Sequence, residues 1–520
     1  MGAGKSAASK PHVQVGRHVA VPPTSGRKST AQEKHMSSLR SRITGAQQAS
    51  ANHGHPLHTV AHLAGEGPPA ALHTAARAVT AAHEAFESWS AMPPAERSAI
   101  LLQAAQLLIM RTGQIVGTMA AEVRASGQWS TFNAKLAAQI LIDASAAVTQ
   151  PSGLVLPTRT FGACSMQVRV PLGVIAAITP PYAPLLLGAR AVALPVALGN
   201  TVVLKPSQDA TLSGGVLLRQ VLADAGLPDG VLGVVTHDRD GDADVVSALI
   251  ADPRVRAVNF TGSTAEGRKV AVETARQLKP AVLELGGKNS LLILGDANVD
   301  YAVDAALVSS FLNAGQGCWS TERIIIDRTL ADDFLSRFAS RVAALPHGGP
   351  TWPAAATGTV IDSRAAHRVS ALVADALAKG ATAVTGTGAI HADDTSLAPV
   401  VLTGVTPSMD IWTQEVSGPV VAVHTVDSAQ EAVALAATPP HGLTAGIITA
   451  DWAGGLSIAR RLPASAVHVN NRSVPAELTA PFGSISDSGL GRFTDRGAID
   501  CFTDTRWVTA GVEGRPEYPL

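Results

Sequence analysis

Apolar residues recur along this chain with two different spacings, and the change between them predicts its architecture. The Ala-rich segments 71–92 and 95–123 carry apolar residues at helical spacing, which predicts two or more helices. Short β-rich runs then alternate with helical stretches. These runs are VPLGVIAAIT, NTVVLKP, GVLGVVTH, RAVNFTGS and AVLELGG. Five such strands joined by four crossover helices predict an α/β fold with a parallel, doubly wound sheet, which binds ligands beyond the carboxyl ends of its strands.

A second α/β series follows Gly287 and predicts a second domain. Its predicted helices are VDYAVDAALVSSFLNAG, ADDFLSRFASRVAAL and AHRVSALVADALAKG, and its predicted strands are ERIIID and segments near PVVLTGV, GPVVAVHTV, LTAGIIT and SAVHVN. The first sheet ends at Glu284, and Cys318 lies near the start of the second series. We therefore expect a site between the two units, where pockets commonly form.

Composition narrows the classes of function. The 520 residues include 16% charged residues and carry a formal net charge of -1, so no global field favours nucleic acid or an acidic partner. The three cysteines are widely spaced, which excludes a disulfide framework and CxxC metal spacing and predicts a reducing, cytoplasmic location. The most apolar run, 173–199, is interrupted by Pro180, Pro181, Pro184 and Arg190. A buried strand followed by a buried helix is expected there, rather than a membrane span.

Residues 1–55 are predicted to form a flexible basic tail. The first fifty residues contain eight Lys and Arg residues against the single acid Glu33, and such a composition cannot offset the entropy lost on ordering. The opening MGAGKSAASK also matches the pattern for N-myristoylation, which would add a lipid anchor beside the basic residues. A mitochondrial transit peptide and a plain disordered tail are the other two interpretations, and all three stay open.

Three short motifs carry candidate binding and acid–base chemistry. FTGSTAEG (260–267) follows a predicted strand and opens a predicted helix, an arrangement that holds phosphate through backbone N–H groups, although most Gly-rich turns are structural. KPSQ (205–208) ends the second strand, where Lys205 either binds ribose or is a solvated charge. In LELGGK (283–288), Glu284 lies between apolar residues, and desolvation would raise its pKa towards that of a general base.

Cys318 lies in NAGQGCWS, a loop of small, polar and glycine residues after a predicted helix. A free cysteine is most often a small buried hydrophobe. This setting instead favours exposure and a role as a nucleophile. A thiolate attacks carbonyls well, and the oxyanion that results needs hydrogen-bond donors.

The segments from about Ala71 to Val508, taken together, resemble the aldehyde dehydrogenase superfamily. GNTVVLKPS, FTGSTAEG, LELGGK, NAGQGC, QEVSGPVV and PFGSISDSGLGR occur in the family's order and spacing. Segments 183–207 and 258–294 look most like the branch that oxidises vanillin, salicylaldehyde and benzaldehyde. The resemblance implies NAD(P)-dependent oxidation of an aromatic or apolar aldehyde to its carboxylic acid.

The resemblance also implies roles for individual residues. Cys318 would attack the aldehyde, a hydride would pass from the thiohemiacetal to the nicotinamide, and Glu284 would activate the water that hydrolyses the thioester. Lys205 would hold the adenosine ribose, Ser263 the pyrophosphate and Glu415 the nicotinamide ribose. The full set of implied dinucleotide contacts is Lys205, Ser207, Gln208, Phe260, Gly262, Ser263, Gly267, Leu285, Gly286 and Glu415.

Three positions depart from the family pattern. Tyr182 stands where an Asn donates to the oxyanion, and losing such a donor raises the barrier by about 3 to 4 kcal/mol unless the phenol donates instead. Ser417 replaces the aromatic residue that packs near the nicotinamide. Gln208 replaces the acid that favours NAD, so the cofactor is expected to be NAD or NADP.

The family fold implies a Rossmann-type cofactor domain, a second catalytic α/β domain and a small β oligomerisation arm. The predicted boundaries are 56–150 and 169–286 for the cofactor domain, 287–497 for the catalytic domain, and 151–168 and 498–520 for the arm. The arm would contain a hairpin with an exposed edge, and it implies a homodimer or a homotetramer.

Two other functions stay open at this point. A catalytically weakened relative would bind a dinucleotide and act as a binding or structural protein, as the departures at Tyr182 and Ser417 allow. A relative that passes the acyl group to coenzyme A would leave Glu284 without a clear task. Neither interpretation involves nucleic acid or an integral membrane span.

Overall fold

Four helices precede the first sheet, as the apolar spacing predicts. A computed structural model describes residues 68–150, 153–158, 163–236, 242–346, 359–391, 395–471 and 480–511. The helices are α1 (Pro68–Ala91), α2 (Pro94–Met110), α3 (Thr112–Val123) and α4 (Gly127–Ala147). The predicted continuous segment 95–123 divides at Arg111, whose φ of -93° and ψ of 15° are not helical. The tail predicted for residues 1–55, with its acylation and transit interpretations, lies outside the described residues.

The first sheet confirms the predicted doubly wound architecture. Its parallel strands stand in the order β7-β6-β3-β4-β5, with a short antiparallel strand, β17, added beside β7. The order changes direction between β3 and β6, which places the ligand crevice at the carboxyl ends of these strands. The strands are β3 (Val174–Thr179), β4 (Thr201–Pro206), β5 (Leu232–Val234), β6 (Val255–Thr261), β7 (Ala281–Glu284) and β17 (Gly489–Leu490), and the crossover helices are α5 (Pro184–Ala197), α6 (Leu217–Asp224), α7 (Asp242–Ala251) and α8 (Thr264–Arg276).

The second sheet has seven strands in the order β10-β11-β12-β9-β8-β14-β15, all parallel except β10. β8 lies between β9 and β14, yet the sequence analysis did not anticipate it, although NSLLI is an apolar run of strand length. The strands are β8 (Asn289–Ile293), β9 (Thr321–Asp327), β10 (Thr382–Thr385), β11 (Val400–Thr403), β12 (Val420–Val426), β14 (Thr444–Ile448) and β15 (Ala466–Val469), and the helices are α9 (Val299–Phe311), α10 (Arg328–Ala343), α11 (Ser363–Ala378), α12 (Ala429–Ala436) and α13 (Trp452–Ala459).

A third, antiparallel sheet contains the predicted hairpin. β1 (Gly153–Leu156) pairs with β2 (Cys164–Pro171), and β18 (Thr503–Ala510) pairs with the other side of β2 after helix α14 (Asp495–Phe502). A two-stranded pair, β13 (His441–Gly442) with β16 (Ile485–Ser486), completes the strands of the described residues. The domain boundaries stay a prediction. β17 lies within the predicted bounds 287–497 yet pairs with β7 of the first sheet, and β2 extends past the predicted arm boundary at residue 168.

The most apolar run of the chain, 173–199, forms β3 and α5, as predicted. All six residues of β3 and thirteen of the fourteen residues of α5 are buried. Parallel strands that are covered on both faces are apolar along their whole length. Within the part of the chain that the structure describes, no single helix has the length and apolar character needed to cross a membrane. α2 and α3 together reach that length and composition, but they are bent by 71°.

Candidate active site

The loop that carries Cys318 begins where α9 stops. Leu312 leaves the helical conformation, and Asn313, Ala314 and Gly315 follow with φ of 52°, 55° and 67°. The helix predicted to continue to residue 315 therefore ends at Phe311. Two non-glycine residues in the left-handed region cost of order 1 to 3 kcal/mol each. At Gly315 a Cβ would in addition overlap a backbone carbonyl, so only glycine fits there.

Two amide side chains hold this loop in place. Gln316 Nε2 donates to the carbonyls of Asn313 at 3.0 Å and Thr359 at 3.1 Å, while its Oε1 accepts from the Ile361 N–H at 2.8 Å. Asn289, the first residue of β8, donates to the Cys318 carbonyl at 2.7 Å. The thiol is thus positioned by a backbone that is fixed from two other segments, around Thr359 and at Asn289, and these hydrogen bonds offset the backbone strain.

Cys318 and Glu284 meet in the seam between the first two sheets. Glu284 ends β7, and its Oε1 lies 3.7 Å from Cys318 Sγ. Glu284 is fully buried, and Cys318 retains 6% of its surface. The expectation that Cys318 is exposed is therefore wrong, because the small neighbours allow the loop to pack into the core beside Trp319. The expectation that the site lies between the two units agrees with this contact.

A residue that the motif analysis did not assign, Arg190, completes this cluster. Its guanidinium Nη2 lies 2.8 Å from Glu284 Oε2, as an ion pair, and the side chain is 9% exposed. The same guanidinium stands over the rings of Phe482 and Phe493, at 5.0 Å and 5.2 Å from their centroids. A cation in an otherwise apolar helix is the sequence signal that could have identified it, since a buried charge needs a partner.

Burial controls the protonation of the three titratable groups beside Arg190. It raises the pKa of the Glu284 carboxyl, while the Arg190 charge and its contact act in the opposite direction. The pKa of the Cys318 thiol is raised first by burial and then by the charge of Glu284, and a hydrogen bond with Tyr182 opposes this. Burial also raises the pKa of the Tyr182 phenol well above its usual value. At neutral pH the thiol and the phenol are therefore protonated.

Tyr182 connects the Cys318 loop to a cluster of aromatic rings. Its backbone carbonyl accepts from Trp129 Nε1 at 3.0 Å and from Asn313 Nδ2 at 3.1 Å. Trp129 in turn stacks on Phe132 at 5.3 Å and lies 6.4 Å from Trp319, the residue after Cys318. Trp129 therefore joins Tyr182, Phe132 and Trp319 in one cluster beside the Cys318 loop.

The residues expected to contact ribose lie at the carboxyl edge of the first sheet. Lys205, near the end of β4, is only 3% exposed, which corrects the interpretation of a solvated charge. Ser207 accepts from the Asp209 N–H at 3.3 Å and so starts the next turn. Gln208 Oε1 and Thr179 Oγ1 are buried here without a hydrogen-bond partner. Such atoms at a ligand edge fit a hydroxyl-rich ligand, because an unpaired buried polar group is costly.

FTGSTAEG forms the strand, turn and helix start that its pattern predicts. Ser263 is the N-cap of α8, and its Oγ accepts from the Glu266 N–H at 3.2 Å. A Cβ at Gly267 would overlap the Leu285 side chain, so this glycine lets the helix start pack on the residue that follows β7. Phe260 is buried in β6, and its ring covers Gly262. The free N–H groups of this helix start fit an anionic ligand.

Glu415 lies directly against Gly286, where the Cβ of any other residue would overlap its carboxylate. Ser417, at the position where the family has an aromatic residue, donates to Glu415 Oε1 at 2.9 Å. Burial and then the charge of Glu322 raise the pKa of Glu415 to about 7, while Ser417 opposes the rise. Serine thus orients this carboxylate.

A buried ion pair supports the Glu415 segment. Glu322 Oε2 lies 2.6 Å from Lys288 Nζ, and its Oε1 accepts from the N–H groups of Val416 at 2.8 Å and Ser417 at 3.1 Å. Lys288 Nζ also donates to the Gln414 carbonyl at 2.7 Å. The sequence analysis did not assign Lys288, Glu322 or Asn289, because each acts on backbone from a distant segment.

Comparison with known proteins adds independent findings. The model of the aldehyde dehydrogenase family matches residues 58–508. A vanillin dehydrogenase of a Pseudomonas species is 44% identical over 451 residues, which are 87% of this chain and 92% of that protein. A benzaldehyde dehydrogenase [NAD(+)] of Pseudomonas putida is 36% identical over 447 residues, which are 85% of this chain and 90% of that protein. The crystal structure of a salicylaldehyde dehydrogenase from Pseudomonas putida G7, complexed with salicylaldehyde, superposes with a TM-score of 0.83 at 35% identity and covers 86% of this chain and 92% of that one.

Proposed function

The chain belongs to the aldehyde dehydrogenase family and is an aldehyde-oxidising enzyme that uses a nicotinamide dinucleotide. From this premise we propose that it converts an aromatic aldehyde to the carboxylic acid, with Cys318 as nucleophile and Glu284 as general base. The observation that carries the proposal is the 3.7 Å contact between Cys318 Sγ and Glu284 Oε1 in the seam between the two large sheets.

In this proposal Glu284 acts as a proton acceptor twice, first for the Cys318 thiol and later for the hydrolytic water. It first accepts the Cys318 proton, which frees the thiolate to attack the aldehyde carbon and form a thiohemiacetal. After oxidation this adduct is a thioester, and Glu284 gives up the first proton to solvent. It then accepts a proton from the water that attacks the thioester and returns it to the Cys318 sulfur as the acid leaves. The protonated Tyr182 phenol, which interacts with the Cys318 sulfur, is the donor for the oxyanion in both tetrahedral stages.

Ten residues around the first sheet edge are proposed to hold the dinucleotide. When bound, the nicotinamide accepts the hydride that leaves the substrate carbon. Lys205 and Gln208 would contact the adenosine ribose, Ser263 at the start of α8 the pyrophosphate, and Glu415 the nicotinamide ribose. The buried, unpaired Gln208 Oε1 and the glycine positions along the edge support this assignment.

The cofactor is proposed to be NAD or NADP, with weak discrimination between them. Gln208 is uncharged where an acid would repel a 2′-phosphate. The variant Q208E should lower kcat/KM for NADP and leave kcat/KM for NAD equal or higher. Equal losses with both cofactors would contradict the role of position 208 in this discrimination.

The aromatic class of substrate is supported by the rings beside the thiol. Phe132 and Tyr182 are half-buried, and Trp129 stacks on Phe132 and donates to the Tyr182 carbonyl. Aromatic rings pack favourably against one another. The relatives named for vanillin and benzaldehyde support the same class.

A homodimer or homotetramer is proposed through the small antiparallel sheet. β1 is an edge strand, and Leu154, Val155 and Trp507 on this sheet are 54%, 80% and 73% exposed. Exposed apolar side chains on an open edge favour pairing with another chain. Sedimentation of V155D should give a smaller particle than the wild type.

The direct test follows reduced nicotinamide while the enzyme is offered vanillin, benzaldehyde and salicylaldehyde with each dinucleotide. We expect turnover with at least one aldehyde–dinucleotide pair and its loss in C318S. In E284Q both the initial burst and the steady state should be slower, because Glu284 accepts the thiol proton and later the water proton. Dinucleotide binding without turnover would overturn the proposal and favour a binding protein. Full turnover in C318S would exclude Cys318 as the nucleophile.

A further inference from the structure

The Glu284 carboxylate is divided between two partners. Its Oε1 faces the Cys318 thiol at 3.7 Å, and its Oε2 faces the Arg190 guanidinium at 2.8 Å. Glu284 has no exposed surface, so water does not compensate its charge from outside. In such surroundings a carboxylate stays ionised only when a cation is fixed beside it.

Arg190 is itself held rigidly. It lies in the middle of α5, whose residues are almost all buried, and its guanidinium stands over both Phe482 and Phe493. The two rings are joined through their backbones, because the Phe493 N–H donates to the Phe482 carbonyl at 2.9 Å. A planar guanidinium suits contact with two aromatic faces and a carboxylate at the same time, which an ammonium group does less well.

We propose that Arg190 is the positioning residue for the Glu284 general base: it keeps the carboxylate ionised and occupies Oε2, which leaves Oε1 for the thiol and afterwards for the hydrolytic water. This inference rests on the proposed function. The other titratable groups that face Glu284 are Cys318, from the loop before β9, and Tyr182, from the segment before α5, and both are protonated at neutral pH.

Thioester hydrolysis can be measured without any dinucleotide. The Cys318 thiolate attacks the carbonyl of p-nitrophenyl benzoate and p-nitrophenolate leaves, which gives a benzoyl thioester and a coloured burst. Water then attacks the thioester, its proton passes to Glu284, and benzoate and the thiol are released. The steady rate after the burst reports this second step when hydrolysis is slower than acylation.

The variants are R190M, which keeps length and apolar contacts, and R190K, which keeps the charge. We expect the burst in both, although it should be slower in R190M at pH 7, because an un-ionised Glu284 does not accept the thiol proton. The steady rate of R190M at pH 7 should fall about 10-fold or more, since a general base contributes about 100-fold or more when ionised. It should recover as the pH rises, because Glu284 without its cation ionises only at higher pH. R190K should lie between R190M and the wild type.

Two controls distinguish a loss of Glu284 positioning in R190M from a general loss of folding stability. Arg97 is another buried arginine, and it donates to the Ala197 carbonyl at the end of the same helix, at 3.0 Å, without contacting Glu284. R97M should lower thermal stability and leave the pH dependence of the steady rate unchanged. In the E284Q background, R190M should cause no further loss, since Arg190 acts through Glu284.

The experiment distinguishes failure of the proposed function from failure of the role proposed for Arg190. A burst that persists in C318S would overturn the proposed nucleophile, and with it the proposed function. A wild-type burst that disappears in C318S, together with an unchanged rate and pH dependence in R190M, would overturn the role of Arg190 alone. A further loss in R190M/E284Q would assign Arg190 a structural role instead.

Discussion

Replacing Glu322 by Gln should cost both stability and dinucleotide affinity. Glu322 Oε2 lies 2.6 Å from Lys288 Nζ, and the two side chains are 5% and 1% exposed. The other carboxylate oxygen accepts from the N–H groups of Val416 and Ser417, which follow Glu415. E322Q keeps the shape of the side chain and removes its charge, so Lys288 loses its compensating anion in a buried position.

The expected loss of stability in E322Q follows from the burial of the Lys288–Glu322 ion pair. Breaking one partner of a buried ion pair costs about 3 to 5 kcal/mol, because the remaining charge is left uncompensated. E122Q is the matched control. Glu122 accepts from the backbone N–H groups of Leu212 at 2.6 Å and Ser213 at 2.7 Å, but its charged neighbour is Asp209, another acid. We expect E122Q to cost about 1 to 3 kcal/mol, the range for hydrogen bonds to a charged group.

Urea unfolding at pH 7 measures the stability of each variant, and steady-state kinetics measure the KM values. The KM for the dinucleotide should rise in E322Q, because the backbone around Glu415 loosens, while the KM for the aldehyde changes little. The double variant K288M/E322L should recover much of the lost stability, since apolar replacements of a buried pair are often neutral or stabilising. An E322Q protein within about 1 kcal/mol of the wild type would refute this reasoning.

Three further predictions concern the site itself. G315A should lose stability and most of its activity, because a Cβ at a φ of 67° overlaps the Gly418 carbonyl, and wild-type melting behaviour would contradict this. Y182F should lower kcat by about 100-fold or more if the phenol donates to the oxyanion, whereas unchanged kcat would exclude that role. The pKa of Glu415 is raised in the folded protein from 4.5 to about 7, so its contribution to the free energy of unfolding is largest below pH 4.5 and declines as the pH rises to 7. E415Q should lack this decline, and an identical pH dependence in both proteins would exclude Glu415 as its source.

Local patterns in the sequence were enough to predict the first sheet and to single out Cys318 and Glu284, whose side chains meet in the structure. A parallel strand covered on both faces is largely apolar, so β3 and the first part of β4 are visible as apolar runs, whereas β6 also contains Arg256 and Asn259. Cys318 and Glu284 were predicted because each lies in a short motif whose residue types carry the chemistry. For the same reason FTGSTAEG was correctly placed as a strand, a turn and a helix start.

The surroundings of these residues could not be predicted from the sequence, because they depend on the tertiary structure. The burial of Cys318 and of Lys205, the left-handed backbone at Asn313 and Ala314, and the central place of β8 in its sheet all depend on which distant segments pack together. The periodicity of a segment describes one face of that segment and contains no information about the element that covers it.

The ion pair between Arg190 and Glu284 shows most clearly which features the sequence predicts and which depend on the tertiary structure. From the sequence alone, Arg190 is an interruption in an apolar helix, and Glu284 is an acid between apolar residues 94 positions away along the chain. Each charge by itself is unfavourable in a protein interior. Only the packing of α5 against the end of β7 brings the two to 2.8 Å, where each charge compensates the other.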